Sequence, residues 1–205
     1  MVSGSIGGLG PEILNVTTDV TEPPQFDRAY PWVVRSLRQS QLLEAWLWQV
    51  RAANALPSLH GFAALQAYRE QSEVTIYEVI RENGSPRYLV VQEGAVFRAF
   101  FGASSTGRFL DEAMSGQSWE IGRISLDACV RQALPIYSVF TLRDKDGRSI
   151  MCERLLLPFG TGSSAVTRLA TSLKTTSWDQ HNAVSAMNPE GHHLDYSFRA
   201  IIALE

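Results

Sequence analysis

Lysine is nearly absent from this chain: only two of its 18 basic residues are lysines, and the arginines are spread along its 205 residues. With a net charge of −3 there is no basic stripe to follow a phosphate backbone, which argues against a nucleic-acid binder. No apolar run approaches the roughly 18 residues that a membrane span needs. The first residues, MVSGSIGGLGPEILNV, lack a charged n-region and a continuous apolar core, so no signal peptide is expected. Cysteine is scarce too, with Cys129 and Cys152 alone. Two thiols without a secretion signal imply a reduced, cytoplasmic protein, and the Asn-x-Thr at Asn15 then carries no meaning. What remains is ordinary for a globular protein: 45% hydrophobic and 19% charged residues, in a length that supports one sizeable domain with appendages.

The rest of the chain is organised around 134–174, where three apolar runs are separated by two turn clusters. Residues 136–143 are rich in β-branched and aromatic side chains, and Asp144-Lys145-Asp146-Gly147 reads as a hairpin turn. A second run covers 149–157; Pro158 and the Gly160–Ser164 cluster break it, and a third covers 165–174. Short runs with turns between them predict an antiparallel meander with one face to be buried, for which the rest of the chain supplies the cover.

Taken in order, 1–29 is a mobile leader without periodicity. Residues 30–72 form an N-terminal helical segment. In 37–54, Leu43, Trp46, Leu47, Val50 and Ala53 make an apolar stripe, Arg38, Gln39, Gln41 and Gln49 lie opposite, and Pro57 stops the helix. Trp48 lies off that stripe, either as a partly exposed aromatic or as a second contact face. A second helix is predicted over 58–71, with Phe62, Leu65 and Tyr68 on one side. Residues 73–81 and 87–92 read as strands joined by an Asn83-Gly84 turn. Short helical turns fit 94–118, a better helix covers 124–133, and the meander follows. In the extension 176–205, a final apolar segment over 196–204 is either an added strand or a short helix. The domain proper is therefore 73–175.

Five antiparallel strands split two and three around a helical insert resemble a PAS domain, an α+β fold with strand order 2-1-5-4-3. The resemblance sharpens to the family of small bacterial single-PAS proteins. Its pattern is a helix bearing a Trp and ending near a Pro, a later Thr-Gly-x-x-Leu, a Pro-Tyr entering the fourth strand, and a Glu-Arg-Leu-x-Leu-Pro fifth strand. The matching residues are Trp46 with Pro57, Thr106-Gly107 to Leu110, Pro135-Ile136-Tyr137, and Glu153-Arg154-Leu155-Leu156-Leu157-Pro158. Ser104 and Ser105 stand where an acidic residue usually precedes the Thr-Gly.

The resemblance implies a curved sheet whose concave face, closed by short helices, forms a small interior pocket. Candidates to line it are Tyr88, Val90, Phe101, Cys129, Tyr137, Val139, Cys152 and Arg154. It also implies a non-catalytic sensory or ligand-binding protein without its own output domain, which acts through a small-molecule ligand, an unidentified protein partner, or a homodimer formed by the Trp46 helix. No cofactor is specified. Flavin photochemistry of the cysteine-adduct kind needs a cysteine near Gly107–Leu110, and haem needs a histidine on the 124–133 helix; neither is there. The alternatives are a dimeric interaction module with a filled core, and an enzyme on a cone-shaped α+β fold of the NTF2 type. All four histidines (His60, His181, His192, His193) fall outside the expected strands, which disfavours the enzyme.

Adjacent His192 and His193 project in different directions, so they do not form one tetrahedral metal site. Cys129 and Cys152 read as buried structural thiols. Arg154 shares a strand face with Ile150, Cys152 and Leu156. It is either a surface residue paired with a glutamate or an interior cation that needs a carboxylate or an anionic ligand.

Overall fold

Alternating apolar side chains along several strands face two ways, and both directions are filled. The computed structural model describes residues 25–70, 74–82, 84–101, 103–114, 116–143, 149–162, 164–177 and 195–204. The strands are β1 (Asp27–Ala29), β2 (Val74–Glu82), β3 (Ser85–Gln92), β4 (Ile136–Arg143), β5 (Ser149–Phe159), β6 (Arg168–Ser177) and β7 (Asp195–Ile202). The helices are α1 (Leu37–Ala53), α2 (Ala63–Glu70), α3 (Ala95–Phe101), α4 (Leu110–Ala113) and α5 (Gly116–Gln132), with a 3₁₀ turn at Pro31–Val33. One sheet holds all the strands, in the order β1-β7-β4-β5-β6-β2-β3.

The meander β4-β5-β6 is antiparallel throughout, with Ser138 opposite Arg154 and Arg154 opposite Leu173. Inside the larger sheet, β3-β2-β6-β5-β4 is the 2-1-5-4-3 arrangement of the five expected strands. The sheet nevertheless has seven strands rather than five. The undecided 196–204 segment is β7, antiparallel to β4, and the end of the leader supplies β1, parallel to β7 through Asp27↔Ala200 to Ala29↔Ile202. Both extend the five-strand pattern at one edge: β7 joins β4, and β1 joins β7. The 144–147 turn and residues 1–24 lie outside the described residues.

The sheet is covered on both faces, not one. On one side α1, α2 and the 3₁₀ turn close over Val74, Ile76, Tyr137, Val139, Leu155, Leu157, Phe159 and Ala170. On the other, α3, α4 and α5 cover Tyr77, Val79, Tyr88, Val90, Ile136, Leu156 and Leu169. This is why β5 reads as a nearly continuous apolar run instead of a clean alternation.

Leu42, Leu43, Trp46 and Leu47 face the sheet from α1. The Trp46 indole N–H donates to the Pro158 carbonyl at 2.8 Å. Pro158 does not end β5, which continues to Phe159 and pairs Pro158 with Leu169. Gln39, expected on the polar side, is buried: its amide NH₂ donates to the carbonyls of Glu153 (3.1 Å) and Ser172 (3.0 Å). Ala53, expected in the apolar stripe, is exposed. The helix ends at Asn54 in the left-handed region (φ 49°), its N–H bonded to the Val50 carbonyl. Helix α5 starts at Gly116, a full two turns before the expected 124, and ends at Gln132; the N–H of the next residue, Ala133, meets the Cys129 carbonyl.

Candidate functional site

Strand alternation decides which candidates share a space. On β5, Ile150, Cys152, Arg154 and Leu156 face the α5 side, whereas Met151, Glu153, Leu155 and Leu157 face α1. Tyr88, Val90, Cys129, Cys152 and Arg154 are therefore on one side of the sheet. Tyr137 and Val139 are on the other, packed beneath α1, and do not line the same space. The reason is phase: the β4 residues opposite Leu156, Arg154 and Cys152 are Ile136, Ser138 and Phe140. The Phe101 side chain lies outside the described residues.

The α1 side carries a closed polar cluster. Tyr137 donates its hydroxyl hydrogen to Glu153 Oε2 at 2.8 Å and accepts one from the Arg35 N–H at 3.4 Å. Lys174 Nζ stands 3.9 Å from the other Glu153 oxygen. Burial pushes the Tyr137 phenol above its usual range. Every charged member has a counterpart, so this is a structural pin between helix and sheet.

The α5 side is different. Arg154 is a half-buried cation: Nη2 donates to the Tyr196 hydroxyl at 3.1 Å, and the guanidinium carbon stands 5.6 Å from the Phe140 ring centre. One row along the sheet, Ser138 is paired with both Arg154 and Arg199. The Arg199 guanidinium stacks 3.5 Å from the Tyr196 ring centre. Burial lowers the Arg199 pKa, and the Arg154 charge pushes the same way. The Nε atoms of Arg154 and Arg199 are buried without a hydrogen-bond partner, as are the hydroxyl oxygens of Ser138, Thr171 and Ser125. Thr171 lies opposite Leu156, and Ser125 is on the buried side of α5, so all five groups belong to this side of the sheet.

Carboxylates on the α5 side are already committed. Asp127 accepts the Tyr88 hydroxyl hydrogen and pairs with Arg123 at 3.2 Å. Glu93, at the end of β3, accepts from the Ser104 hydroxyl and the Ser105 N–H, with Arg98 Nε at 3.5 Å. Glu93 thus brings a carboxylate to Ser104 and Ser105. It pins the loop before Gly107, whose φ of 83° suits glycine and whose N–H bonds to the Val90 carbonyl. Glu93→Ala is expected to cost about 1–3 kcal/mol, since the Ser105 N–H loses its buried acceptor. The same change should raise amide exchange at Ser105–Arg108, measured by mass spectrometry. Unchanged exchange there would refute the pin.

Cys129 and Cys152 are both free and buried. Burial pushes Cys152 up to about 12 and Cys129 higher still, with only the Arg154 charge opposing. A thiol held so far from ionisation is no nucleophile near neutral pH. Among the described residues no three His, Cys, Asp or Glu side chains gather as metal ligands, and no helix is long and apolar enough to cross a membrane. His181, His192 and His193 lie outside the described residues; His60 lines a cavity of about 230 Å³ with Leu59, Ile76, Gln92 and Arg168.

Sequence reasoning missed Ser138, Thr171, Ser125, Tyr196 and Arg199. Ser138 was open to discovery by laying β4 against β5 from the hairpin turn. Arg199 and Tyr196 were not, because nothing in 196–204 distinguishes strand from helix.

No family model and no curated protein matches the chain. Among solved structures it is similar to a light-oxygen-voltage domain described in connection with a flavin analogue, at 14% identity and a TM-score of 0.41, over 57% of this chain and 85% of that one. That likeness is too slight to argue from.

Proposed function

We propose that this chain is a non-catalytic, sensory PAS-like protein that binds a small molecule on the α5 side of its sheet and signals through a partner or a change of oligomer. The observation that carries the reading is the contrast between the two faces. The α1 side has matched its charges and leaves one buried polar atom, Gln39 Oε1, without a partner, while the α5 side has five, two of them the Nε atoms of Arg154 and Arg199. Buried polar atoms are nearly always satisfied, so such a concentration marks a place made for something else. The test is a pair of mass spectra, native and denaturing, of freshly purified protein with an absorption scan. A small molecule released on denaturation is expected. A bare chain that also takes up nothing from a metabolite mixture contradicts the reading.

A second reading, a homodimer through α1, is favoured by one observation. Trp46 itself is sealed against the sheet, but Leu37 and Trp48, three turns apart on the outer side of α1, are 73% and 69% exposed. Trp48→Glu is expected to leave the fold intact and shift a concentration-dependent dimer to monomer in sedimentation velocity. A native protein that sediments as a monomer at all concentrations ends this reading and leaves the first standing.

A further inference from the structure

We propose that the α5 side of the sheet binds a small oxyanion, a carboxylate or phosphate group, held between Arg154 and Arg199 with the Ser138 hydroxyl at its midpoint. The inference rests on the ligand-binding reading above and names the class of ligand.

A guanidinium taken out of water without a counter-charge is costly, and a second one beside it makes the cost larger. Here two sit on either side of β4, in register with the same residue, Ser138. Strands lie about 4.8 Å apart, so the two arginine Cα atoms are roughly 10 Å apart, a gap that two inclined guanidinium forks close upon a single anion. Tyr196 keeps them in that attitude: its hydroxyl accepts from Arg154 and its ring lies under Arg199. The unused groups point to the same chemistry. Two Nε–H groups are pure donors, and the Ser138 hydroxyl is free to donate. The nearby carboxylates of Asp127 and Glu93 serve other partners.

Arg87 shows the contrasting case. Arg87 has Asp111 at 2.9 Å, Glu112 at 3.1 Å and Glu82 at 3.2 Å. Arg154 and Arg199 have no such carboxylate among the described residues. On the Arg199 side there is also space: Arg199 and Tyr196, though not Arg154 or Ser138, line a cavity of about 360 Å³ together with Gln25, Asp27, Ser197 and Phe198. That volume suits a small metabolite.

The test is calorimetry and thermal shift on the full chain, with succinate and inorganic phosphate as probes and succinamide as the neutral control. Saturable binding of at least one probe, with none of succinamide, is expected, and the probe that binds tells a carboxylate site from a phosphate site. Arg154→Met and Arg199→Met should each weaken binding about tenfold to a hundredfold, since each removes charged hydrogen bonds. Both should stay folded, because an apolar residue of similar volume in place of a buried cation is neutral or stabilising. Arg154→Lys, which keeps the charge and loses the fork, should retain part of the affinity. Failure of both probes to saturate overturns the inference, as does affinity unchanged in both methionine variants. If native mass spectra reveal a neutral molecule that Arg154→Met binds equally well, the oxyanion falls while the ligand-binding reading survives. A bare native spectrum together with two silent probes ends both.

Discussion

Replacing Trp46 with alanine is expected to destabilise the protein by about 3–5 kcal/mol, the range for deleting a large aromatic from a packed core. Trp46 is fully buried at the junction of α1 with β5, among Leu43, Leu47, Leu157 and Phe159. Deletion opens a cavity the size of an indole, and the Pro158 carbonyl loses its donor. That carbonyl is at the point where β5 runs on through a proline, so the helix and the strand extension support each other. Trp46→Phe separates the two effects: it keeps most of the apolar area and removes the N–H, so about 1–2 kcal/mol is expected. Chemical denaturation followed by far-UV dichroism measures both. A Trp46→Ala loss under about 1 kcal/mol would mean that α1 is only loosely attached.

A steep loss of stability above pH 9 is the second large effect. Burial raises both thiols, Cys152 to about 12 and Cys129 further. In the unfolded chain a cysteine ionises near 8.5. A group whose folded pKa is raised gives its full stabilisation below the unfolded value and loses it as pH rises toward the folded one. Each thiol therefore withdraws about 1.4 kcal/mol per pH unit from about pH 8.5 upward. Buried Tyr77, Tyr88 and Tyr137, all raised chiefly by burial, add to the slope above about pH 10. Urea titrations from pH 7 to 10.5 should show the decline, and Cys129→Ala with Cys152→Ala should flatten its first part. A profile level to pH 10 in the native chain would show that the thiols are not sealed.

Much of the architecture was legible because it is written in local chemistry. The β4-β5-β6 meander showed itself through turn residues and β-branched runs, and the β2–β3 hairpin through Asn83-Gly84. The α1 stripe showed itself through apolar spacing. The errors share one cause, which is tertiary context that no window of residues contains. Gln39 reads as surface, yet carbonyls of β5 and β6 make the interior hospitable to its amide. Pro158 reads as a strand end, yet its carbonyl is what Trp46 requires. The first turns of α5, with Gly116 and Gly122, read as loop, yet Gly122 is buried, a Cβ there meeting Met114 at 3.8 Å.

The candidate site divides the same way. Arg154 was visible because β5 alternation leaves only two homes for it. Tyr137 and Val139 fall on the face opposite Arg154 and Cys152, a separation set by the phase of β4 relative to β5. Arg199, half of the proposed clamp, belongs to β7, a strand that the five-stranded pattern does not include.

The division of labour between the two faces is the claim on which the rest depends, and arginine side-chain NMR tests it most directly. Nε–Hε and backbone spectra of the full chain are recorded as succinate, then phosphate, is added. The Arg154 and Arg199 Nε signals should move together, with Ser138 and Thr171 following, while Tyr137, Val139 and Leu155 beneath α1 stay still. Shifts centred under α1, or two arginine signals that never respond to either anion, would contradict it.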